Sequence, residues 1–525
     1  MDEQSELQES QTQDPISEVQ LSRMRNLEIW QDAGLAPYAD KVEVTSLADP
    51  LQNQYAHLES GEETADGVTI AGRIMALRNS GMFMDVQDHS GKIQVFNHKA
   101  ILAPECMQHL KVYDLGDVIA VTGKIRRTQR GELTVNSEHI QLLSKSLQPL
   151  PEKYHGLSDI EIRYRKRHID LTVNPDSKNV FIKRSQILTA IRSTFIAKGF
   201  LEVETPMLHP IPGGATAKPF VTHHNALNQD LFFRIAPELY LKRLIIGGIS
   251  DRVFEIGRCF RNEGLSPKHN PEFTSVEAYQ AHADYTDMML LVEHVIAAAA
   301  KVAHDGQTRV TYGDREIDFA GPWPRKTMVD LVQEATGLDF LDMPDPLQAR
   351  RAALELGVEI EDDANWGQIV AALFDEKVEH KLVQPIHIID FPRDISPLAK
   401  VKPAHPLLTE RFESYANGWE LANAFSELND PFDQYQRFKA QDAQRVSGDD
   451  EAHYFDEDYI EALEFGMPPT GGLGIGIDRV VMLLTNSPNI KDVIAFPTLR
   501  PAKASSLVRA LDEASQLHPG KQRSD

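Results

Sequence analysis

Between Gly67 and Leu143, apolar and polar residues alternate in short runs: "VTIAGRIMALR", "MFMDVQDHSGKIQVFNH" and "DVIAVTGKIRRTQRGELTVNSEHIQLLS". Period-2 alternation is the mark of strands with one buried face. Turn signals at Asp88–Gly91, Gly116-Asp117 and Arg130-Gly131 separate the runs. This spacing predicts a five-stranded barrel of the OB type over residues 66–150, with a small β-sandwich as the alternative. Upstream, Leu21, Met24, Leu27 and Trp30 recur every third residue and predict a helix in a segment running to residue 65. Residues 1–20 are polar and acidic, without aromatics, and read as a disordered lead-in.

Beyond the barrel the pattern changes. A Pro-punctuated stretch, "SLQPLPEKYHGLSD", opens a connector assigned to residues 151–178, which ends in the basic segment "IEIRYRKRHIDL". Ile187, Ile191 and Phe195 then fall at i, i+4 and i+8, an amphipathic helix with Gly199 as its C-terminal stop. "FLEVETPML" reads as a strand ending at Pro206. Later strands and helices follow no βαβ rhythm, so residues 179–503 predict a largely antiparallel α+β domain. Residues of about 285–385 read as a helical insertion, and 504–525 as a helical tail that frays.

One hairpin stands out in "VFEIGRCFRNEGLSPKHNPEFTSVEAY". Alternation puts Phe254, Ile256 and Phe260 on one face of its first strand. Glu255, Gly257, Cys259, Arg261 and Glu263 share the other. In the second strand Phe273, Ser275, Glu277 and Tyr279 oppose Thr274, Val276 and Ala278. A face of charged and aromatic residues, kept open by Gly and Cys, is suited to a ligand.

A second segment, "GGLGIGIDRVVMLL", lacks dinucleotide-binding spacing, because Ile477 stands where the third glycine belongs. It reads as a Gly-rich strand entering a helix, with Asp478 as N-cap and Arg479 in the first turn. Glycines there admit a flat ligand or serve packing alone. Arg479 has the chemistry to meet phosphate or stack on a base.

Composition narrows the class. The chain has 525 residues, enough for several domains, with 42% hydrophobic and 25% charged residues, as in soluble proteins. It has no apolar run of ~18 residues, so no membrane span is expected. The acidic amino terminus is not expected to be a signal peptide. Two cysteines, Cys106 and Cys259, suit a reducing cytoplasm. Net charge is −24, from 54 basic and 78 acidic residues, which argues against a protein that coats nucleic acid. Any RNA contact must use local basic patches, and "IEIRYRKRHID" and "GKIRRTQRGE" are the candidates.

The hairpin, "GFLEVETPML" and the Gly-rich segment resemble, in order and spacing, motifs 2, 1 and 3 of class II aminoacyl-tRNA synthetases. The resemblance is closest to lysyl-tRNA synthetases of bacterial type. It rests also on "HGLSDIEIRYRKRHIDL", "IPGGATAKPFVTHHNAL", "RIAPELYLKRL", "FRNEGLSPKHNPEFT", "LTERFE", "FSELNDP" and "GDDEAHYFDEDYIEALEFGMPPTGGLGIGIDR", and spreads over most of residues 65–500. It implies an antiparallel sheet that binds bent ATP on the hairpin's polar face. Arg261 would be catalytic, bridging the α-phosphate and the substrate carboxylate. Phe273 and Arg479 would sandwich adenine, Glu263 would read its amino edge, and His269 would lie near the terminal phosphates.

Glu413 and Glu420 match the family's Mg²⁺ ligands, although strict alternation sets Glu420 opposite Asn423, Phe425 and Glu427 unless a bulge intervenes. For lysine, Glu238 would hold the α-amino group, and Glu277, Tyr279 and Glu427 the ε-amino end. Gly214, Asn423 and Phe425 would complete the pocket. Such a pocket should hold Glu277 and Glu427 together, with neither neutralised by a basic neighbour. Phe83, Gln94 and Arg78 fall where the family stacks on and reads the anticodon of tRNA(Lys). The family further implies a cytoplasmic homodimer formed through about Phe181 to Pro206. Departures are few: "YQAHADY" puts Gln280 and His282 where "YMAYADY" is common, and the first barrel hairpin is short. The alternatives are a paralogue with another acceptor, a non-catalytic RNA-binding paralogue, and an aspartate-type enzyme. The last would need basic residues where Glu277 and Glu427 stand.

Overall fold

The computed structural model describes residues 17–151, 157–447 and 453–501. The lead-in as far as residue 16 and the tail 504–525 lie outside them. The described residues fall into two compact units, 17–151 with 500–501 and 157–499.

The first unit opens with α1 (Glu18–Asp32), started by a capping box between Ser17 and Gln20. Its buried residues are Arg23 and Trp30, and Leu21 is exposed, so the predicted apolar stripe holds only at its end. Arg23 takes an inward place because its Nη1 donates to the carbonyls of Ser146 and Gln148. After α2 (Ala48–Gln54) come β1 (Glu63–Arg78), β2 (Phe83–Gln87), β3 (Lys92–Phe96), α3 (Pro104–His109), β4 (Val118–Arg127) and β5 (Leu133–Ser144). They close a barrel in the order β1-β2-β3-β5-β4, with β3 and β5 parallel. Alternate residues, among them Ile74, Met84, Val86, Ile93, Val95 and Val121, fill its interior.

The second unit begins where a connector was expected. Residues 152–156 lie outside the described residues, and α4 (Ile160–Arg165) and α5 (Arg167–Val173) follow. The basic segment is structural in part, with Arg165, Lys166 and His168 left exposed. Arg163 and Arg167 both bind the buried Asp170, and Arg167 also donates to the carbonyls of Lys491 and Ala495. Next is α6 (Pro175–Ala197), whose Ile187, Ile191 and Phe195 are buried as predicted, with Gly199 at φ +82° just beyond its end. The strand expected to reach Pro206 is only β6 (Leu201–Glu202). Thr205 leaves the sheet ladder because its N–H and hydroxyl donate to the Glu255 carboxylate.

A small sheet of β7 (Leu208–His209), β8 (Val221–His224) and β9 (Gln229–Phe233) precedes α7 (Glu238–Ile246). The hairpin strands β10 (Arg252–Phe260) and β11 (Glu272–Ala281) lead into α8 (Tyr285–Ala303). The pair β12 (Arg309–Tyr312) and β13 (Arg315–Asp318), then β14 (Arg325–Thr327), α9 (Met328–Thr336), α10 (Pro346–Glu355) and α11 (Trp366–Lys377) follow. After β15 (Ile386–Ile389) and the pair β16 (Val401–Lys402) and β17 (His405–Thr409) come β18 (Arg411–Ala416) and β19 (Trp419–Ser426). The unit ends with α12 (Pro431–Ser447), α13 (Glu457–Glu464), β20 (Thr470–Gly476), α14 (Ile477–Leu484) and α15 (Ile490–Val493).

Eight strands form the main sheet, β14-β15-β18-β19-β20-β11-β10-β6, antiparallel except at β14/β15 and β10/β6. Its rear face packs on α6, α8 and α14 through Ile191, Phe195, Phe254, Val276, Val292 and Val481. Each such buried side chain contributes ~1.5–3 kcal/mol by removal from water. The stretch 285–385 is thus an insertion only in part. α8 belongs to the central core and β14 to the main sheet, while α9–α11 have a core of their own around Val332, Phe340, Ile369 and Phe374.

Candidate active site

The front of the main sheet forms one face of a cavity of about 370 Å³. All fourteen residues anticipated in this unit line it: Gly214, Glu238, Arg261, Glu263, His269, Phe273, Glu277, Tyr279, Glu413, Glu420, Asn423, Phe425, Glu427 and Arg479. Pairing explains how. Opposite residues of an antiparallel ladder share a face, and Glu255 faces Glu277, Gly257 faces Ser275 and Cys259 faces Phe273. In the neighbouring strands Gly474 lies between Glu277 and Asn423, and Gly472 between Tyr279 and Phe425.

The glycines are required by space. A Cβ on Gly472 would collide with Glu427 Oε1 and lie 2.5 Å from the Tyr279 ring. Gly472→Ala should therefore raise the KM of the amino-acid substrate by roughly 10- to 100-fold, as overpacking of ~1–3 kcal/mol implies, with the ATP KM near its original value. Steady-state kinetics check this, and a parallel rise in both constants would contradict it.

At one end of the cavity three buried carboxyl groups, Glu238, Glu277 and Glu427, converge. Burial and the neighbouring Glu238 push Glu277 up to about 8. Tyr279 donates its hydroxyl to Glu277 at 2.9 Å. One expectation fails here. Glu427 has a basic neighbour, Lys242 of α7, whose ammonium contacts Glu427 Oε2 and sits 2.5 Å from Glu238 Oε1. Burial alone would lower the Lys242 pKa, yet Glu238 and Glu427 more than reverse this and hold the group above its usual value. One ammonium cannot match three carboxyl groups, so the pocket has an excess of acids over cations, and burial favours a proton on those left unpaired. Glu427 Oε1 is buried without a hydrogen-bond partner.

At the other end, the guanidinium of Arg261 lies 5.1 Å from the Phe273 ring centroid, and its buried Nε has no acceptor. Arg479 donates to the Glu420 carbonyl at 2.9 Å, to Glu420 Oε2 at 3.1 Å and to His269 Nε2 at 3.1 Å. Burial and the Arg479 charge lower the His269 pKa, so its imidazole is neutral and accepts this bond. Asp478 is not the N-cap, a place held by Gly476. It is buried at the second position of the helix, where Oδ2 accepts from the Thr274 N–H and Oδ1 pairs with Arg184. Cys259 is buried, and its thiol is pushed up to about 11 by desolvation and Glu277, so it serves as a small spacer and is no nucleophile.

Glu420 reaches the cavity because β19 carries a bulge at Leu421. Ser414 pairs with Ala422 but Tyr415 with Glu420, so the face changes by one residue. Glu413 is held by Arg411 at 2.6 Å and Tyr415 at 2.7 Å. Burial and then Glu420 raise its pKa to about 7. Two carboxylates that repel each other in this way suit a hard divalent cation. Among the described residues no group of three or more His, Cys, Asp or Glu is placed to hold a metal by itself.

Sequence reasoning missed Lys242, Arg234 and Arg411. Arg234 is buried with Nη1 2.5 Å from Glu255, and Gly257 leaves the room its Nη2 occupies. Both Lys242 and Arg234 stand in "RIAPELYLKRL". An i, i+4 Glu–Lys pair on a helix ordinarily reads as a surface ion pair, which hid Lys242.

In the barrel unit, Phe83 and Phe96 stack at 4.7 Å on the outer face, half-buried, and Arg126 lies 5.5 Å from the Phe96 centroid. Gln94 Oε1 accepts from Thr134 at 3.1 Å. Arg78 is engaged by Asp85 through both terminal nitrogens, at 2.9 and 2.6 Å. Phe96 was not anticipated, while Arg126 belongs to the candidate basic patch "GKIRRTQRGE". Alternation with Val95 was the available signal for Phe96.

A family model for class II tRNA synthetases (D, K and N) matches residues 159–500, and one for the OB-fold nucleic acid binding domain matches 68–143. A lysine–tRNA ligase of Rhizobium meliloti (strain 1021) is 55% identical over 450 residues, 86% of this chain and 90% of the relative. That of Agrobacterium fabrum is 54% identical over the same shares. That of Moorella thermoacetica is 51% identical over 481 residues, 91% of this chain and 97% of the relative.

Proposed function

The chain belongs to the class II tRNA synthetases of the aspartate, lysine and asparagine group, and within it we propose a lysine–tRNA ligase, which uses ATP to join lysine to the 3′ end of tRNA(Lys). The observation that carries this reading is the convergence of Glu238, Glu277 and Glu427 on one cavity with a single ammonium, Lys242, among them. A substrate with two ammonium groups fits that excess. An aspartate pocket would need the opposite charge at Glu277 and Glu427. A paralogue with another acceptor would have no use for the OB-fold domain. A non-catalytic one would be expected to lose some of Arg261, Glu263, Phe273 and Arg479, yet all four line the cavity. ATP–pyrophosphate exchange measured with each of the twenty amino acids tests the reading. Lysine should dominate, and dominance of aspartate or asparagine would refute it.

In the first step a lysine carboxylate oxygen attacks the α-phosphorus of ATP and pyrophosphate leaves. In the second, a terminal ribose hydroxyl of the tRNA attacks the carbonyl and AMP leaves. Neither step demands a strong base; both build charge on oxyanions. Arg261 is assigned the bridge between the α-phosphate and the carboxylate, supported by its unsatisfied Nε in the cavity. Phe273 and Arg479 are assigned to adenine, Glu263 to its amino edge and His269 to the phosphate tail. Gly214, Tyr279, Asn423 and Phe425 are assigned to lysine beside the three glutamates. Glu413 and Glu420 would hold Mg²⁺, which neutralises phosphate charge when bound.

The barrel is assigned to the anticodon, with Phe83 and Phe96 as the stacking pair, Arg126 beside them and Gln94 as a reader. Arg78 is already committed to Asp85, so its part is to shape the surface. Phe83→Ala should weaken tRNA binding by roughly 5- to 150-fold, the value of ~1–3 kcal/mol for one stacked base, and leave adenylate formation unchanged. Arg126→Glu should act in the same direction. Arg127 is excluded from this role because it donates to the carbonyls of Gly131 and Tyr55. Filter binding alongside pyrophosphate exchange checks both variants, and an equal loss in the two assays would contradict the division of labour.

A homodimer through α6 and β6 is supported by the exposed aliphatic residues Ile182, Ile196 and Leu201. Among the described residues no helix is long and apolar enough to cross a membrane.

A further inference from the structure

Lys242 is fully buried but does not line the cavity. It stands behind the wall formed by Glu238, Phe425 and Glu427, with its ammonium 5.3 Å from the Phe425 centroid and 5.9 Å from that of Tyr459. The other charged groups around it are matched among themselves. Arg234 pairs with Glu255, Arg243 with Asp456 and Arg411 with Glu413. His453, nearby, is held neutral by burial and by Lys242, its pKa lowered to about 4. Tyr279 and Tyr459 are raised above their usual values by burial and stay protonated. What remains is three carboxyl groups, Glu238, Glu277 and Glu427, and one ammonium.

We propose that Lys242 is a positioning residue that acts as the resident counter-ion of the substrate pocket and sets its anionic excess at two, the charge that a diamino acid supplies. This rests on the lysine reading above. With the resident cation in place, three carboxylates meet three ammonium groups when substrate is bound, while the substrate carboxylate is left to Arg261. Without it, one carboxyl group must keep a proton or face its neighbours uncompensated, because a buried unpaired charge is costly. The third group no longer ionises fully, and binding comes to depend on alkaline pH.

The test is ATP–pyrophosphate exchange with the full-length chain and its Lys242→Met and Lys242→Arg variants, between about pH 6.5 and 9. In Lys242→Met the lysine KM at about pH 7 should rise tenfold or more, since each unit of carboxyl pKa shift is worth a factor of about ten. The difference should shrink toward about pH 9, the ATP KM should hold within about twofold, and Lys242→Arg should recover most of the loss. A merely structural role would move both KM values together and leave the pH profile unchanged, and that result overturns the proposal. A second measurement serves if Lys242→Met does not fold: calorimetric titration of the unaltered protein with lysine in buffers of different ionisation enthalpy. Release of more than one and up to about two protons at about pH 7 supports a pocket whose excess is two, and release of none overturns it. If the unaltered chain fails to activate lysine, the functional reading falls and this proposal with it. If it activates lysine while Lys242→Met keeps the original pH profile, only this proposal falls.

Discussion

Glu277→Gln is expected to reduce lysine-dependent pyrophosphate exchange by roughly 150- to 5000-fold while making the substrate-free protein more heat-resistant at neutral and alkaline pH. The loss follows from breaking a buried charge pair, which costs ~3–5 kcal/mol when one partner is removed. The gain follows from proton linkage. Burial and Glu238 raise the folded-state pKa of Glu277 to about 8, against the ordinary glutamate value of 4.5. Above the unfolded value the native state therefore binds more protons than the unfolded chain, and stability falls as pH rises from about 4.5 to 8. The amide does not titrate and still accepts the Tyr279 hydroxyl. The melting-temperature difference between variant and parent should be near zero at about pH 4.5, grow toward pH 8 and then level off. A difference independent of pH would show that the charge of Glu277 is not the source. Saturating lysine should reverse the order, because only the parent gains binding energy from it.

Arg261→Ala should remove ~10²- to 10³-fold of kcat for adenylate formation, the usual consequence of losing a donor to a developing oxyanion. Arg261→Lys should recover little. A lysine offers a point charge where a planar fork has to touch two oxyanions at once. The bond to be lost is already oriented: the guanidinium rests by the Phe273 ring and its Nε faces no protein acceptor. Single-turnover exchange separates kcat from binding, and recovery by Arg261→Lys to within about threefold would remove bidentate geometry from the argument.

These effects depend on residues of unequal visibility. The hairpin's polar face was legible because β10 and β11 keep a strict period of two, from Glu255 to Cys259 and from Phe273 to Tyr279. The barrel was legible for the same reason. Glu420 was not, since a single bulged residue shifts the phase and no sequence pattern marks it. Lys242 and Arg234 were hidden because burial of a charge depends on partners far away in sequence, here Glu427 and Glu255. The basic run around Arg167 divides in a way its sequence does not show, since Arg163 and Arg167 turn inward onto Asp170 while Arg165, Lys166 and His168 stay exposed. The motif 1 strand was overestimated because Thr205 prefers the Glu255 carboxylate to its neighbour's backbone.

The bulge at Leu421 also divides β19 into two halves, with Glu420 before it and Asn423 and Phe425 beyond it, all on the cavity side. Were Leu421 paired in a regular ladder, Glu420 would turn to the opposite face, into the aliphatic layer of the sheet. Deleting Leu421 would instead leave Glu420 and Asn423 alternate residues of a straight strand, still on one side of it. The phase of this strand, and not the chemical identity of the residue at 421, thus decides which side chains meet the cavity.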